Sequence, residues 1–349
     1  MRVEDLETPV AVVDLDCLAS NIQHLQAYLG EHNIANRPHI KTHKIPAIAR
    51  MQIEAGAAGI TCQKIGEAEV MADAGLGDIL LPYNILGESK LNRLMQLVRR
   101  INLSVTADSA PVAHGLSRAA QRADLTLTVL VECDMGGKRC GVQSPREATD
   151  LARLIAQLPN LHFGGLMTYP NTEYLDSFVR ETRASLAAER IPIESVSGGG
   201  SKCRWQAHTH SELTEHRAGM YIYGDRHLML AGAMPLETIA FSVIATVVSR
   251  PTPDRGILDS GSKTLSSDLL GLEGHGYVCE YPQANIYALS EEHAHVDFSA
   301  CEHKPEIGER VTVLPNHCCP VTNLLDEVVG VREGQVEVTW KVAARGKVK

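Results

Sequence analysis

Aromatic residues are scarce in this chain of 349 residues: Phe, Tyr and Trp together make up 4%. The length allows a large core, so that core must be built from aliphatic side chains and alanine. Long apolar runs are missing too. No stretch reaches the ~18 residues that would suggest a membrane span. The opening segment, MRVEDLETPVAVVDLD, lacks the continuous apolar stretch of a signal peptide, which predicts a cytoplasmic protein. Long basic runs do not occur, and the formal net charge is −9. Binding to nucleic acid or to an anionic membrane therefore has no electrostatic support. There is no internal repeat and no low-complexity linker.

What is present is a soluble globular composition, 44% hydrophobic and 21% charged. Nine cysteines without a secretion signal read as reduced thiols rather than a disulfide framework. From about residue 10 to residue 230, short apolar runs alternate with helical patterns. Strand candidates include ANRPHIK, AGITCQ, DILLPY, INLSVT, LTLTVLVECD, LHFGGLMTY, ESVSGGGS and HRAGMYIYG. Between most of them lie helix candidates such as SPREATDLARLIAQL. The order and the total length predict a parallel (β/α)8 TIM barrel over residues 10–232. After about residue 235 the texture becomes strand-rich, with turn signals and no long helix pattern. Residues 233–349, with the N-terminal strand segment 1–9, are expected to form a second, all-β domain.

Three clusters could carry chemistry. In RPHIKTHK, Arg37 to Lys44, the barrel reading puts Lys41 at the C-terminal end of the first strand, where such barrels hold their active sites. A partly desolvated lysine can lose its proton and form a Schiff base, although the same residues also suit a solvated basic loop. In SVSGGGSK, the glycines Gly198, Gly199 and Gly200 between Ser197 and Ser201 offer backbone N–H groups without side-chain obstruction. That suits a phosphate, and loops after the seventh and eighth strands commonly bind one. In PNHCCP, His317 and Cys319 lie two apart on what reads as a strand end, so period two puts both on one face. Imidazole plus thiolate suits zinc, with the remaining ligands supplied from elsewhere. Competing pairs are Cys301 with His303 and His293 with His295, in polar, loop-like sequence.

Together these residues resemble the D-threonine aldolase / D-serine dehydratase family, pyridoxal-phosphate enzymes of fold type III with an alanine racemase-like barrel. The resemblance runs nearly end to end, through TPVAVVDLD, RPHIKTHK, GEAEVMADAG, SGGGS, RAGMYIYGD and PNHCCPVTNLLDE. It implies that Lys41 carries pyridoxal 5'-phosphate as a Schiff base, with His39 and His43 as polar neighbours. The phosphate would lie against Ser197–Ser201 and the backbone near Gly219 and Met220. Tyr169 resembles the family tyrosine near the cofactor ring, Arg139 the arginine that reaches the cofactor, and Gln63 a contact to its phenolic oxygen. Arg217 resembles the arginine facing the pyridine nitrogen in related racemases. His317 and Cys319 would bind a divalent metal, zinc before manganese given the thiolate. A homodimer is expected on the same resemblance.

Such a constellation serves two reactions. With the cofactor as electron sink and a metal on the β-hydroxyl, loss of that proton breaks Cα–Cβ and gives glycine plus an aldehyde. Alternatively, Lys41 takes the Cα proton and hydroxide leaves, giving a 2-oxo acid and ammonia. Two departures bear on the choice. The aldolase pattern pairs its metal histidine with Asp, where this chain has Cys319, as the zinc-dependent dehydratases do. It also carries YHG with a further His, where this chain reads TYPNTEYL. His39 or His208 could replace that base. Against this, CPVTNLLDE resembles the aldolase segment through Pro320, Asn323, Leu324 and Asp326. The expected function is D-threonine aldolase-like cleavage of β-hydroxy-D-amino acids; the alternative is D-serine or D-3-hydroxyaspartate dehydration. An amino-acid racemase is a more remote alternative, needing a tyrosine such as Tyr277, Tyr281 or Tyr287 opposite Lys41. A non-catalytic cofactor carrier would not need the hundred residues after the barrel.

Overall fold

The structure is a computed structural model and describes residues 1–349. The chain divides into two compact units, and two short segments cross between them in sequence. The strand-rich unit comprises residues 1–23, 42–45 and 220–346; the barrel unit comprises 24–41, 46–219 and 347–349.

The first strand, β1 (Val10–Asp14), leads directly into helix α1 (Leu15–Glu31). The barrel follows, with strands β2 (Ala35–Asn36), β3 (Ile60–Thr61), β4 (Asp78–Leu81), β5 (Asn102–Ala107), β6 (Leu127–Cys133), β7 (Leu161–Thr168), β8 (Ser195–Gly199) and β9 (Glu215–Arg217). Helices α2 (Pro46–Glu54), α3 (Ile65–Asp73), α4 (Glu88–Val98), α5 (Ala110–Ala123), α6 (Pro145–Gln157) and α7 (Leu175–Ala187) alternate with them. All eight strands are parallel, in the order β2-β9-β8-β7-β6-β5-β4-β3. A parallel bridge between His39 and Thr61 joins the two ends of this ladder, with the Thr61 N–H donating to the Pro38 carbonyl at 2.8 Å. The fold is a TIM-type, alanine racemase-like barrel.

Local sequence explains the helices. In α6, Pro145 sits in the first turn, where its missing N–H costs nothing. Ser144 caps the helix by accepting from the Glu147 N–H at 3.2 Å, and the Glu147 carboxylate reaches back to the Gln143 N–H at 2.6 Å. Ala148, Leu151, Ala152 and Ile155 then recur at helical spacing and are buried. All four phenylalanines, Phe163, Phe178, Phe241 and Phe298, are buried.

The strand-rich unit holds β10 (Phe241–Ser249), β11 (Arg255–Leu258), β12 (Gly276–Val278), β13 (Asn285–Leu289), β14 (Ala294–Asp297), β15 (Arg310–Pro315), β16 (Glu327–Arg332) and β17 (Gln335–Lys341). Its short helices are α8 (Arg226–Leu230), α9 (Ser262–Leu265) and α10 (Cys318–Leu324). The sheet runs β13-β14-β11-β10-β1-β16-β17, and β15 pairs with β10 and β12. β1 therefore lies between β10 and β16, antiparallel to the first and parallel to the second. No helix is long and apolar enough to cross a membrane.

Candidate active site

The segment with Lys41 is shorter as a strand than its sequence suggests. β2 stops at Asn36, because Pro38 has no N–H for the ladder. His39 resumes contact with its N–H on the Ala218 carbonyl at 2.9 Å, and Ile40–Thr42 form a 3-10 turn that presents Lys41. Lys41 is half-buried, and its ammonium makes no hydrogen bond or ion pair within the protein. Both nitrogens of His39 are engaged. Nε2 donates to Gln63 Oε1 at 2.9 Å, and Nδ1 accepts from the Lys41 N–H at 3.4 Å. Desolvation, with the Lys41 charge, pushes His39 well below the ordinary imidazole range, so the ring stays neutral. That geometry suits holding the turn rather than moving a proton.

The glycine turn after β8 is built by close approach. A Cβ on Gly199 would stand 2.7 Å from the Arg217 carbonyl, and one on Gly200 would stand 2.8 Å from Cys203 Sγ. Gly198 would collide with the Asn171 side chain, and Gly200 adopts φ +134°. The Gly199 N–H donates to Asn171 Oδ1 at 2.6 Å and the Gly200 N–H to the Arg217 carbonyl at 3.1 Å. Two of the three N–H groups expected to face a phosphate are thus used inside the protein. The Ser201 N–H makes no bond in the protein, while Ser201 Oγ accepts from the Gly219 N–H at 3.2 Å. These groups lie after β8 and β9, the seventh and eighth barrel strands.

Beneath this rim runs a chain of buried charges. Arg37 pairs with Asp78 and, at 2.6 Å, with Glu215. Glu215 accepts from the Ser197 hydroxyl, which in turn accepts from Arg217 Nη1. Arg217 Nη2 donates to the Thr168 carbonyl at 2.9 Å. Burial pulls the Arg217 guanidinium down to about 10, partly offset by Glu215 and Glu132. Glu132, buried on β6, also faces Arg139 at 3.5 Å, and the Arg139 guanidinium lies 5.1 Å from the Tyr169 ring. Glu132 and Glu215 were invisible as site residues in the sequence; a lone carboxylate inside a buried strand was the available signal.

In the strand-rich unit, His317 and Cys319 do meet, but not by strand alternation. β15 ends at Pro315, His317 is the residue before α10, and Cys319 lies in that helix's first turn. Pro320 is tolerated there because first-turn N–H groups have no helical acceptor. Burial alone would lower His317, but its hydrogen bonds to Cys319 and Asp268, with the Cys319 and Asp225 charges, outweigh it and push it up to about 9. His317 Nδ1 donates to Asp268 Oδ2 at 2.7 Å. Thr42 Oγ1 lies 3.2 Å from Cys319 Sγ, and Thr42 follows Lys41 directly in the chain. His43 is buried edge-on to Tyr223, and Lys44 Nζ donates to Asn323 Oδ1 at 2.7 Å. The charged run after Lys41 is therefore packing material of the strand-rich unit. Asp225 caps α8 and accepts from the Cys318 N–H at 3.1 Å.

Other candidates are placed elsewhere. Met220 opens a 3-10 turn, Met220–Ile222, of the strand-rich unit. The Tyr281 hydroxyl donates to Glu309, Tyr287 is exposed beside His295, and His295 bonds Ser290. His208 Nδ1 is 2.6 Å from the Tyr28 hydroxyl, and its ring stacks on His32.

The residues fit the two implied groups. For pyridoxal phosphate, the unpartnered Lys41 amine is matched by Thr168 Oγ1, which is buried at the end of β7 without a partner. For a metal, no three His, Cys, Asp or Glu side chains converge. The donor set is one imidazole backed by a carboxylate and one thiol, which leaves positions for water or substrate, as in an open catalytic zinc site.

Residues 13–227 match the family model of the alanine racemase N-terminal domain, and residues 240–331 that of a putative serine dehydratase domain. A D-threonine aldolase of an Arthrobacter species is 33% identical, aligned over 98% of this chain and 93% of its own. A 3-hydroxy-D-aspartate aldolase of Paracoccus denitrificans is 30% identical over 99% of this chain and 94% of its own. The solved structure of D-threonine aldolase from Filomicrobium marinum superposes with a TM-score of 0.91, at 31% identity, covering 100% of this chain and 98% of its own.

Proposed function

Since the chain belongs to the D-threonine aldolase / D-serine dehydratase family, we propose that it is a pyridoxal-phosphate- and metal-dependent lyase cleaving β-hydroxy-D-amino acids to glycine and an aldehyde. One observation carries this: the residue after Lys41 hydrogen-bonds the thiol of the His317–Cys319 pair, at 3.2 Å. The barrel unit would hold the cofactor and the strand-rich unit the metal. Zinc is the metal that a thiolate favours. A cytoplasmic homodimer is part of the same proposal.

When bound, pyridoxal phosphate supplies an electron sink for charge at Cα, and the metal a Lewis acid for the β-hydroxyl oxygen. The chain's own residues do the rest. Lys41 brings an amine with no competing partner, and His39 and Gln63 fix the turn that carries it. Arg217 and Arg139 place positive charge at the barrel mouth, each steadied by a buried carboxylate. The Ser201 N–H is available to the phosphate. Asp268 fixes the tautomer and orientation of His317, and Thr42 orients Cys319.

The thiol favours a second reading. Cys319 stands where an aldolase pattern has Asp, and that supports dehydration of D-serine or D-3-hydroxyaspartate, with Lys41 Nζ taking the Cα proton. Product analysis of the cofactor- and metal-loaded protein with D-threonine, D-serine and D-3-hydroxyaspartate separates the two. Glycine plus an aldehyde is expected; a 2-oxo acid plus ammonia would establish the dehydratase instead.

A further inference from the structure

The segment TYPNTEYL after β7 departs from the aldolase pattern, and its Asn171 grips the glycine turn. Asn171 holds Gly199 at both backbone groups. Its side-chain Oδ1 accepts from the Gly199 N–H at 2.6 Å, and its own N–H donates to the Gly199 carbonyl at 3.0 Å. The loop is anchored in turn, because the Thr172 hydroxyl donates to the Met135 carbonyl at 2.8 Å.

His216 reaches the same turn from β9. Its neighbours Glu215 and Arg217 both bond the Ser197 hydroxyl in the buried relay, so strand alternation turns His216 to the opposite face. There it is fully buried. Its Nε2 lies 3.2 Å from the Gly200 carbonyl and its Nδ1 3.4 Å from Asn171 Nδ2. A carbonyl only accepts, so Nε2 carries the proton and Nδ1 receives the Asn171 amide. Burial, and then the Arg217 charge, hold the ring neutral. A leucine at this place would bury apolar surface with no polar atom to satisfy. The histidine instead directs both nitrogens to the glycine turn, one straight to Gly200 and one through Asn171 to Gly199. The next donor along the turn, the Ser201 N–H, is the one left without a protein acceptor.

We propose that His216 and Asn171 form a clamp that sets the Gly199–Gly200 turn and thereby aims the Ser201 N–H at the cofactor phosphate, which makes both of them positioning residues for phosphate recognition. This rests on the glycine turn as the place of that phosphate. Both side chains act on backbone atoms of the turn rather than on the cofactor. Lys41 is presented from a separate turn after β2, so loosening the clamp should weaken the hold on the phosphate and leave the Schiff-base amine in place.

The test compares pyridoxal 5'-phosphate with pyridoxal, which has the same ring and aldehyde but no phosphate. Each is titrated into the metal-loaded full chain freed of cofactor, and the absorbance of the lysine-bound form is followed. The variants are His216→Phe, which keeps a ring and removes both nitrogens, and Asn171→Leu. The second lies on a half-buried loop and carries the test if the buried change prevents folding. The native protein should prefer pyridoxal 5'-phosphate at least about tenfold. Each variant should lose about tenfold in affinity for it and less than about twofold for pyridoxal. Equal weakening of both ligands would mark a general structural role and overturn the clamp. A native preference left intact in both variants would overturn the clamp alone. A native protein indifferent to the phosphate would remove the phosphate from the glycine turn and the clamp with it.

Discussion

The two units build their halves of the site in different ways. In the barrel unit, groups arrive from many strand ends across some 180 residues, Lys41 to Gly219, and are fixed by ladder register and by a buried relay of alternating charge. In the strand-rich unit, His317 and Cys319 come from one helix start, and their supports, Asp268, Asp225 and Thr42, come from separate loops. The first half is distributed and electrostatically interlocked. The second is local and depends on a few side-chain bonds. Damage should therefore spread in the barrel unit and stay confined in the other.

The largest effects test whether the halves are separable. Lys41→Ala should abolish the cofactor absorbance while metal content stays near one equivalent by mass. Cys319→Ala should remove the metal while the cofactor band persists. If each variant lost both groups, the halves would be one cooperative site and the contrast would be wrong. Next comes Glu215→Gln. Glu215 holds Arg37 on one side and Ser197 on the other, all largely buried. Removing one partner of a buried ion pair costs about 3–5 kcal/mol. Arg217 should also loosen, so cofactor affinity falls along with stability. Calorimetry and cofactor titration would check both; a change in stability alone would mean that the relay does not reach Arg217.

The same contrast explains what the sequence disclosed. The alternation of apolar runs and helix patterns revealed the barrel, because strand and helix periods differ along the chain. Lys41, the glycine turn and the HxC pair were legible as unusual clusters of chemistry. The reason for the glycines was not, since it lies in carbonyl and thiol atoms of Arg217 and Cys203 that fold back against them. Nor was the helix at Cys318 legible as such, although Pro320 in a first turn was a signal for it. The grouping of Thr42–Ile45 with a unit that otherwise resumes at residue 220 was hidden, because sequence gives neighbours along the chain and not partners across it. Asp268 and Asp225 were missed for the same reason.

Acid should separate the units by sign. In the barrel unit, burial and then the Arg217 charge lower His216 to about 4. Between about 4 and the unfolded value of 6.5, the unfolded chain takes a proton that the folded one refuses. The stability is full above 6.5 and falls, by about 3 kcal/mol in all, as the pH drops to 4. His39 acts in the same direction. In the strand-rich unit, burial raises Asp225 to about 6. There the folded form keeps a proton the unfolded one has lost, so stability rises as the pH falls from 6 to 3.8. Each unit contains one tryptophan, Trp205 in the barrel and Trp340 in the other. Denaturation followed by fluorescence in Trp340→Phe and in Trp205→Phe reads the two separately. Equal acid dependence from both probes would erase the contrast.

The smallest effect concerns how local the metal half is. Asp268 touches His317 through Nδ1 alone and is partly exposed. Asp268→Asn keeps the shape and an acceptor oxygen but removes the charge that makes the imidazole a stronger donor. Changes of this kind typically weaken metal binding about 10–100-fold. Chelator competition should show that loss, with the cofactor spectrum and the barrel tryptophan unchanged, because no strand of the barrel ladder carries Asp268. A shift in the cofactor band would mean that charge in the strand-rich unit is felt by the Lys41 turn. One covalent route for such a shift is the peptide bond between Lys41 and Thr42, so Thr42→Val, which cuts the hydroxyl from Cys319, should then reproduce it.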